Sequence, residues 1–372
     1  MTRISHISTV HSLYDDRIFY KECKSLKKEG YNVFYIVKTQ GDKSIDGINI
    51  IGVKNYNSRL QRVIFGSIEA FRKAVKIKSD LYHFHDPELM FTGVLLKLAG
   101  KKVVYDVHED LPKQVLYKDW INYKFVRKTL SAIINVFEQF CCLFFDGIVT
   151  ATEDIAKNFS KRKTIVLRNF PVKSMIEKAH PPSIKKEKNI IIYVGGLSKI
   201  RGIKEIIQAM EHVNTNYELW LIGKFENEEY YEECKNLSLW NRVKYLGFKK
   251  LDKVYGYIKL ADIGLAILYP LKNYLTSLPV KAFEYMAFGK PIIMSDFKYW
   301  KEIFSECALF VDPYNPKQIS EKINYLIENK AIREKLGENG KELIKNKYSW
   351  EKEEIKLLKF YNNIIKNENP SN

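Results

Sequence analysis

The sequence predicts an α/β protein built from two doubly wound parallel sheets, each in its own domain. Short β-branched runs alternate with longer helical patterns along the whole chain, and this alternation restarts after a polar stretch near the middle. A length of 372 residues is also sufficient for two domains that each bury a large core. Right-handed crossovers between the parallel strands would cover both faces of each sheet with helices.

Five short runs in the first half of the chain are predicted to be buried strands, because they are rich in β-branched and aromatic residues. Helical patterns separate these runs, and Gly30 and Gly100 mark the ends of two of the helices. The predicted strands are residues 4–7, 33–37, 81–84, 103–107 and 147–150.

A polar stretch at residues 173–189 contains two adjacent prolines and shows no hydrophobic period, so we predict that it links the two domains. The predicted N-terminal domain is residues 1–172 and the predicted C-terminal domain is residues 190–350. Residues 320–365 are predicted to be helical, and residues 351–372 to cross back to the N-terminal domain. The predicted strands of the second half are residues 190–194, 218–222, 243–246, 263–268, 291–294 and 309–311.

The composition is that of a globular protein, with 46% hydrophobic and 28% charged residues, and it excludes a disordered or fibrous chain. The net charge is +17, of which the first 180 residues carry +11 (30 basic and 19 acidic residues). This excess favours anionic partners, namely nucleic acid, nucleotide-activated substrates or an acidic lipid surface. Nucleic acid is not expected, because the basic residues are dispersed and no recognition motif is present.

The five cysteines have neither a disulfide framework nor metal-ligand spacing, which indicates a reducing cytoplasm. The most apolar segment, residues 132–151, is interrupted by Glu138 and Asp146. Because a transmembrane helix needs about 20 residues with almost no charge, no membrane span is expected.

Residues 113–128 combine several cations, Lys124, Arg127 and Lys128 among them, with aromatic side chains. Two interpretations stay open for this segment: association with an anionic membrane surface, or an ordinary solvated helix face. For residues 130–145, where apolar residues recur at helical spacing, we predict a helix with one face on the core and one solvated face.

A glycine-rich turn follows the first strand of the second half, in the sequence Tyr193-Val-Gly-Gly-Leu-Ser-Lys-Ile-Arg-Gly202. Glycines allow the backbone to approach a phosphate closely, and the helix that follows offers unpaired N–H groups. Arg201 lies at the start of that helix and can add a bidentate positive charge. The segment is either a phosphate site or an ordinary strand-to-helix turn.

Lys281 and Glu284 are three residues apart near the start of a predicted helix, so both side chains lie on one face. This pair can hold a nucleoside diphosphate, with the phosphate on the lysine and the ribose hydroxyls on the glutamate. A surface ion pair is the alternative.

These two segments resemble signatures of the family 4 glycosyltransferases, which are retaining enzymes of the GT-B fold that use nucleotide-diphosphate sugars. Further segments resemble the family in the same order along nearly the whole chain. They are DDRI (15–18), GYNV (30–33), HFHD (83–86), DVHE (106–109), ATE (151–153), LRN (167–169), KYLGF (244–248), ADIGL (261–265) and YSW (348–350).

The resemblance implies a donor site in the C-terminal domain. Arg201 and Lys281 would hold the diphosphate, with help from backbone amides around Gly195, Gly196 and Leu278, and Glu284 would bind the ribose. No metal or other cofactor is implied, because the two cations and the helix dipoles supply the positive charge.

The sequence departs from the family pattern at two positions. Thr276 stands where the first glutamate of the paired-glutamate motif is expected, and Gly196 stands where a basic residue is common. The missing carboxylate removes a contact to the donor sugar. Both departures are expected to affect which donor sugar the protein uses and how fast it transfers that sugar.

On the N-terminal side, His108 directly follows a predicted strand and resembles the histidine that the family places near the reacting sugar. A histidine at that place can bond a sugar hydroxyl or the developing charge. The resemblance also suggests acceptor-side residues, for which helix capping is the alternative. These candidates are Asp16, Arg17, His85, Asp86 and Glu109.

The implied function is a retaining, hexosyltransferase-type enzyme that moves a sugar from a nucleotide-diphosphate donor to an acceptor hydroxyl. The expected setting is bacterial polysaccharide or glycoconjugate assembly on a glycan or lipid-linked acceptor, in the cytoplasm and peripherally on the inner face of the membrane. The alternative is a non-catalytic GT-B subunit that binds a glycan or a partner protein, which the two departures motivate.

Overall fold

Both predicted parallel sheets are present, and each belongs to its own unit of the chain. A computed structural model describes residues 1–116, 121–214 and 216–366. The first unit comprises Met1–Asn169 together with Glu351–Asn372, and the second comprises Phe170–Trp350.

The first unit contains an eight-stranded sheet with the order β3-β4-β2-β1-β5-β6-β7-β8. Neighbouring strands are parallel except for β3, which runs antiparallel to β4 at the edge. All five predicted strands are confirmed. The strands are β1 (Arg3–Ser8), β2 (Asn32–Lys38), β3 (Lys43–Ile45), β4 (Ile48–Val53), β5 (Leu81–Phe84), β6 (Lys102–Val107), β7 (Gly147–Thr150) and β8 (Thr164–Val166).

Helices cover this sheet on both faces, as the predicted crossovers require. Two of them are π-helical, Ile18–Cys23 and Arg62–Gly66, and one is a 3₁₀ turn, Pro87–Leu89. The α-helices are Lys24–Lys28, Arg59–Gln61, Ser67–Ile77, Met90–Leu98, Leu111–Leu116, Lys124–Phe144, Glu153–Ala156 and the C-terminal helix Trp350–Ile365.

The second unit contains a six-stranded, fully parallel sheet with the order β11-β10-β9-β12-β13-β14. Its predicted strands are all confirmed, with ends that differ by one or two residues. The strands are β9 (Asn189–Val194), β10 (Tyr217–Ile222), β11 (Val243–Gly247), β12 (Ile263–Ala266), β13 (Ile292–Ser295) and β14 (Ala308–Val311).

The helices of the second unit include three 3₁₀ turns, Lys199–Arg201, Met210–His212 and Trp240–Arg242. The α-helices are Lys173–Glu177, Ile203–Ala209, Glu228–Lys235, Leu251–Leu260, Lys272–Leu275, Val280–Ala287, Lys298–Phe304, Pro316–Glu328 and Lys330–Asn346.

The stretch predicted as a linker, residues 173–189, differs from its prediction because it belongs to the second unit. It begins with the helix Lys173–Glu177, and Ala179 is buried in the core of that unit. A side chain at Gly256 would collide with the backbone carbonyl of His180, so the two segments are in close contact. The apolar anchors of this stretch are too few to give a hydrophobic period.

The C-terminal helix Trp350–Ile365 packs on the first unit through an apolar face. Its Tyr361 hydroxyl lies 2.5 Å from Nδ1 of His83, and a side chain at Gly147 would collide with the ring of Phe360. Both Tyr361 and Phe360 are buried. The first unit is therefore built from two segments, one before and one after the second unit in the sequence.

The helix Lys124–Phe144, here called the long helix, departs from the predicted core-facing arrangement. Cys141, Cys142 and Glu138 are buried, but Ile133 and Phe137, which belong to the apolar row expected to face the core, are exposed. Helical periodicity identifies an apolar face without showing what covers it, which is why the sequence did not distinguish the two sides. None of the helices in the described part of the chain combines the length and hydropathy that crossing a membrane requires.

Glu138 is the buried carboxyl group of the long helix. Its Oε1 accepts a hydrogen bond of 3.1 Å from the hydroxyl of Tyr105, and burial raises its pKa from 4.5 to about 7. The unfolded chain gives up this proton at lower pH than the folded protein does. The contribution of Glu138 to stability is therefore greatest below pH 4.5 and is lost as the pH rises to about 7.

Glu138→Gln should consequently stabilise the protein at alkaline pH while retaining the oxygen that accepts from Tyr105. We expect a gain of about 3 kcal/mol at pH 8 and little change near pH 4.5. Urea unfolding of both proteins across this pH range measures the difference. Glu29→Gln, at an exposed site, is the control, and an equal effect of Glu138→Gln at all pH values would contradict the assignment.

Candidate active site

The chemistry-bearing residues of the first unit gather at the carboxyl ends of three neighbouring strands, β1, β5 and β6. His85 directly follows β5 and His108 directly follows β6. His11 lies in the loop after β1. In open parallel sheets this edge is where ligands bind.

His108 and His11 are the histidines of this group that keep exposed surface, 21% and 26% of their side chains. Their ring centroids are 4.9 Å apart. Nε2 of His108 lies 3.2 Å from Asp106 Oδ2 and 3.3 Å from Nδ1 of His85. His108 is thus oriented by buried partners while one side of its ring faces solvent.

His11 was not predicted from the sequence. Burial lowers its pKa, but the 2.8 Å hydrogen bond to Asp15 and the negative charges of Asp15, Asp86 and Asp106 together raise the pKa overall. The available signal was a histidine four residues before an aspartate in the loop after the first strand. A protonated His11 would place a positive charge next to His108.

Arg17 is buried, with 3% of its surface exposed, and it binds two acidic side chains. Its Nε and Nη2 lie 2.9 and 3.0 Å from the two oxygens of Asp106, and its Nε lies 3.0 Å from Oε1 of Glu22. Nη1 donates to the carbonyl of Leu167 at 2.6 Å. These contacts use the fork of the guanidinium group, so they favour a structural role over the predicted acceptor-side role.

Charge in this cluster is balanced by Arg17 and Asp106. Burial raises the pKa of Asp106, but the charge of Arg17 together with the charge and hydrogen bonds of His108 and His85 holds that pKa well below its usual value. For Glu22, burial and the charge of Asp106 raise the pKa well above its usual value. Arg17 and Asp106 form the bidentate ion pair of this cluster.

His6, Glu22, His83 and His85 have the composition of a metal site, since their ligand atoms lie within 4.8 Å of one another. Two of these atoms already bond each other, because His6 Nδ1 lies 2.9 Å from His85 Nε2. Nδ1 of His83 is engaged by the Tyr361 hydroxyl. Burial lowers the pKa of His6 and His83 strongly and that of His85 to about 4, so all three rings are neutral. Hydrogen bonds hold Nδ1 of His6 and Nδ1 of His83, whereas Nε2 of each of these two rings is buried without a hydrogen-bond partner among the described residues. Metal independence of the protein stays a prediction.

The other predicted acceptor-side residues lie in different surroundings. Asp86 is buried and accepts hydrogen bonds from the backbone N–H groups of Thr9 and Val10 at 2.6 and 3.1 Å, so it holds the loop after β1. Its side chain makes no capping hydrogen bond to the turn Pro87–Leu89 that follows it. Asp16 is half-buried and pairs with Lys21 at 2.9 Å. Glu109 is exposed.

The glycine turn of the second unit carries the predicted phosphate loop. Gly195 has φ = +125°, a conformation that side-chain-bearing residues rarely adopt. A Cβ at Gly195 would lie 3.1 Å from Nζ of Lys281 and 3.4 Å from Nη1 of Arg201. A Cβ at Gly196 would lie 3.1 Å from the same Arg201 nitrogen. Both cations therefore converge on a backbone surface that the glycines keep open.

Lys281 lies in the first turn of the helix Val280–Ala287, and its Nζ is 3.6 Å from the centroid of the Tyr193 ring. Burial, together with the nearby charge of Arg201, lowers the pKa of Lys281 well below its usual value. Without a ligand this ammonium group is electrostatically unfavourable. An anion bound between the two cations would relieve that cost.

The remaining predicted donor residues lie on the same helix or just before it. Glu284 is buried one turn after Lys281, and its charge acts on that lysine. Leu278 is half-buried against the core. Thr276 is exposed directly after the helix Lys272–Leu275.

Comparison with known proteins places both units in one enzyme class. The family model for glycosyl transferases group 1 matches residues 175–343, and the model for glycosyltransferase family 4 matches residues 16–168. An uncharacterized glycosyltransferase of Methanocaldococcus jannaschii is 24% identical and covers 85% of this chain and 86% of its own length. The capsular polysaccharide biosynthesis glycosyltransferase CapM of Staphylococcus aureus is 26% identical over 48% of this chain and 47% of its own.

Among solved structures, HepE of Anabaena in complex with UDP and glucose is similar with a TM-score of 0.74 and 14% identity. The match covers 97% of this chain and 100% of that one. At this identity it establishes the shared GT-B fold alone. With the two family models covering both units, the chain belongs to the family 4 glycosyltransferases of GT-B fold.

Proposed function

We propose that the second unit binds the diphosphate of a nucleotide-sugar donor. The observation that carries this proposal is the convergence of Lys281 and Arg201 on Gly195, where both cationic nitrogens lie within 3.4 Å of a position that no side chain occupies. Two cations beside an open glycine backbone suit a diphosphate, which offers several negatively charged oxygens. The UDP bound by the similar HepE structure supports this ligand class.

We further propose that transfer proceeds with retention of the anomeric configuration. The bond between the sugar C1 and the diphosphate oxygen breaks, and the acceptor oxygen bonds to C1 on the same face. The acceptor's proton passes to the departing phosphate. Arg201 and Lys281 stabilise the charge that develops on this leaving group, and Glu284 binds the ribose.

We propose that His108 contacts the reacting sugar on the acceptor side of the site. Its ring is held in place by Asp106 and His85, yet part of it is exposed. We propose that His11, which lies beside His108, belongs to the same acceptor-side site. Asp16 and Glu109, on the accessible edge, are further candidates for contacts to the acceptor. The setting that we propose is polysaccharide or glycoconjugate assembly in the cytoplasm, on a glycan or lipid-linked acceptor. The capsular role of the similar CapM protein supports that setting.

A panel of UDP-, GDP- and other nucleotide sugars in thermal-shift assays tests the donor proposal. A ligand at about 100 times its Kd should stabilise the protein by about 2.7 kcal/mol. Hydrolysis of the stabilising donor without acceptor would separate an enzyme from the non-catalytic alternative, and NMR of the transferred sugar's anomeric proton would test retention. The donor proposal fails if no nucleotide sugar or nucleoside diphosphate shifts the melting temperature.

The exposed Thr276 gives a test of donor choice. If the natural donor does not need a carboxylate at this position, Thr276→Glu should lower turnover with that donor about tenfold, or shift preference to another sugar, because it introduces an unpaired charge. Competition between donors, read by mass spectrometry of the products, measures both effects. Thr276→Gln is the neutral control. A strong rise in turnover with the same donor would instead favour the non-catalytic alternative.

A further inference from the structure

The long helix presents an unpaired apolar stripe to solvent, here called the apolar face. Its five side chains recur at helical spacing and are between 47% and 72% exposed. They are Ile133, Val136, Phe137, Phe140 and Leu143. Large apolar side chains scattered singly on a surface are ordinary, but a contiguous row of this kind marks an interaction site.

The apolar face contains no exposed charge. From Thr129 to Leu143, all of which the structure describes, the one ionisable carboxyl or basic group is Glu138, and it is buried against Tyr105. A solvated helix face would carry charged residues at several of these positions. The face is therefore built for an apolar environment.

Further large apolar side chains are exposed on or just before two other helices of the first unit. The helix Met90–Leu98 packs between the long helix and the helix Ser67–Ile77. The hydroxyl of Thr92 donates to the carbonyl of Ser67 at 3.3 Å, which joins the starts of those two helices. Large exposed apolar side chains lie at these starts, namely Leu60, Ile64, Phe65, Ile68 and Phe91.

Cations and aromatic rings lie at the N-terminal end of the long helix. Lys124 and Lys128 are exposed, and Tyr123 and Phe125 beside them are 73% and 77% exposed. Exposed arginines, Arg59 among them, flank the neighbouring helices. Aromatic side chains among cations, next to an apolar stripe, are typical of helices that lie at the surface of an anionic bilayer.

We propose that the apolar face of the long helix docks the first unit on a lipid bilayer that contains anionic headgroups. The apolar side chains enter the acyl boundary, and Lys124 and Lys128 meet the headgroups. A second copy of this chain is a poorer occupant, since it would bring another +17 net charge towards these cations. This surface shares Lys124 and Lys128 with the segment identified in the sequence, residues 113–128, and adds the apolar face of the long helix to it. Tyr117, Lys118 and Trp120 of that segment lie outside the described residues.

The docking surface is linked to the edge that carries His108. The helix Leu111–Leu116 follows that edge and packs on the long helix, where the hydroxyl of Ser131 donates to the carbonyl of Pro112 at 2.8 Å. Docking would hold this edge close to the bilayer, where a lipid-linked acceptor is found. The proposal goes beyond the proposed transferase chemistry and does not require it, because bilayer binding needs neither donor nor acceptor.

Flotation with vesicles of phosphatidylcholine alone, or with phosphatidylglycerol added, tests the proposal directly. The full chain should float with the anionic vesicles at low salt and dissociate as salt is added. Phe137→Gln with Phe140→Gln should reduce binding at least tenfold, and Lys124→Gln with Lys128→Gln about fivefold for each cation. The matched controls are Ile355→Gln, on another exposed helix, and Lys185→Gln with Lys188→Gln.

Insertion can be measured without relying on these variants. The five native cysteines are buried, so a Phe140→Cys protein can be labelled with an environment-sensitive dye at one place. Its emission should shift to shorter wavelength with anionic vesicles, whereas the dye on Ile355→Cys should not respond. Equal binding to neutral and anionic vesicles, or no binding at low salt, would overturn the proposal. A self-associating protein that becomes monomeric in the Phe137→Gln, Phe140→Gln variant would also overturn it.

Discussion

Arg17→Met should destabilise the first unit by about 3 to 5 kcal/mol, the cost of breaking a buried ion pair by removing one partner. The substitution leaves the carboxylate of Asp106 buried without the cation that binds both of its oxygens. It also removes the Nε contact to Glu22 and the donor to the Leu167 carbonyl. Melting temperature and urea unfolding measure the loss.

Two further variants make this result specific. Arg72→Met, at an exposed site of the same unit, should leave the melting temperature nearly unchanged. Adding Asp106→Asn to Arg17→Met should recover part of the loss, because the uncompensated charge is gone. If Arg17→Met kept the wild-type melting temperature and lost only activity, the acceptor-side role predicted from the sequence would replace the structural one.

Lys281→Ala and Arg201→Ala should each weaken binding of the nucleoside diphosphate at least tenfold. Charge-assisted hydrogen bonds contribute about 1.5 to 3 kcal/mol each, and the ligand's charge is held by these two groups in our proposal. Calorimetric titration with the diphosphate that stabilises the wild type measures the affinity.

The stability of the unliganded protein should not fall together with the affinity for the diphosphate in these variants. The pKa of Lys281 is lowered by burial and by Arg201, so losing its ammonium should leave the unliganded protein as stable as before or more stable. Lys199→Ala, an exposed cation of the same loop, is the control and should bind normally. Wild-type affinity in both Lys281→Ala and Arg201→Ala would remove the donor assignment.

The central strands of both sheets were predictable because they are buried on both faces and read as continuous β-branched runs. The short edge strands β3 and β8 were missed, since an edge strand carries little apolar signal. The strand β4, which lies next to the edge, was missed as well. The hairpin between β3 and β4 did have a local signal in Asp46-Gly47, whose φ angles are +52° and +75°. Two positive φ values at an Asp-Gly pair are typical of a tight hairpin turn.

The two halves of the site were predictable to different extents. Gly195, Arg201 and Lys281 stand in recognisable local motifs, and the structure brings these three residues together. The ion pair of Arg17 with Asp106 joins residues 89 positions apart, and charged residues ordinarily indicate an exposed surface. Its burial could not be inferred without knowing that β1 and β6 both neighbour β5.

The position of the C-terminal helix in the sequence determines when the first unit can finish folding during translation. Tyr361 and Phe360 close the first unit over His83 and Gly147, yet they are synthesised only after the whole of the second unit. The second unit is continuous in sequence, so it can fold while the first unit still lacks its final helix. The histidine network at the first strands is thus completed only after translation has passed residue 361, and a prematurely terminated chain leaves that network open to water.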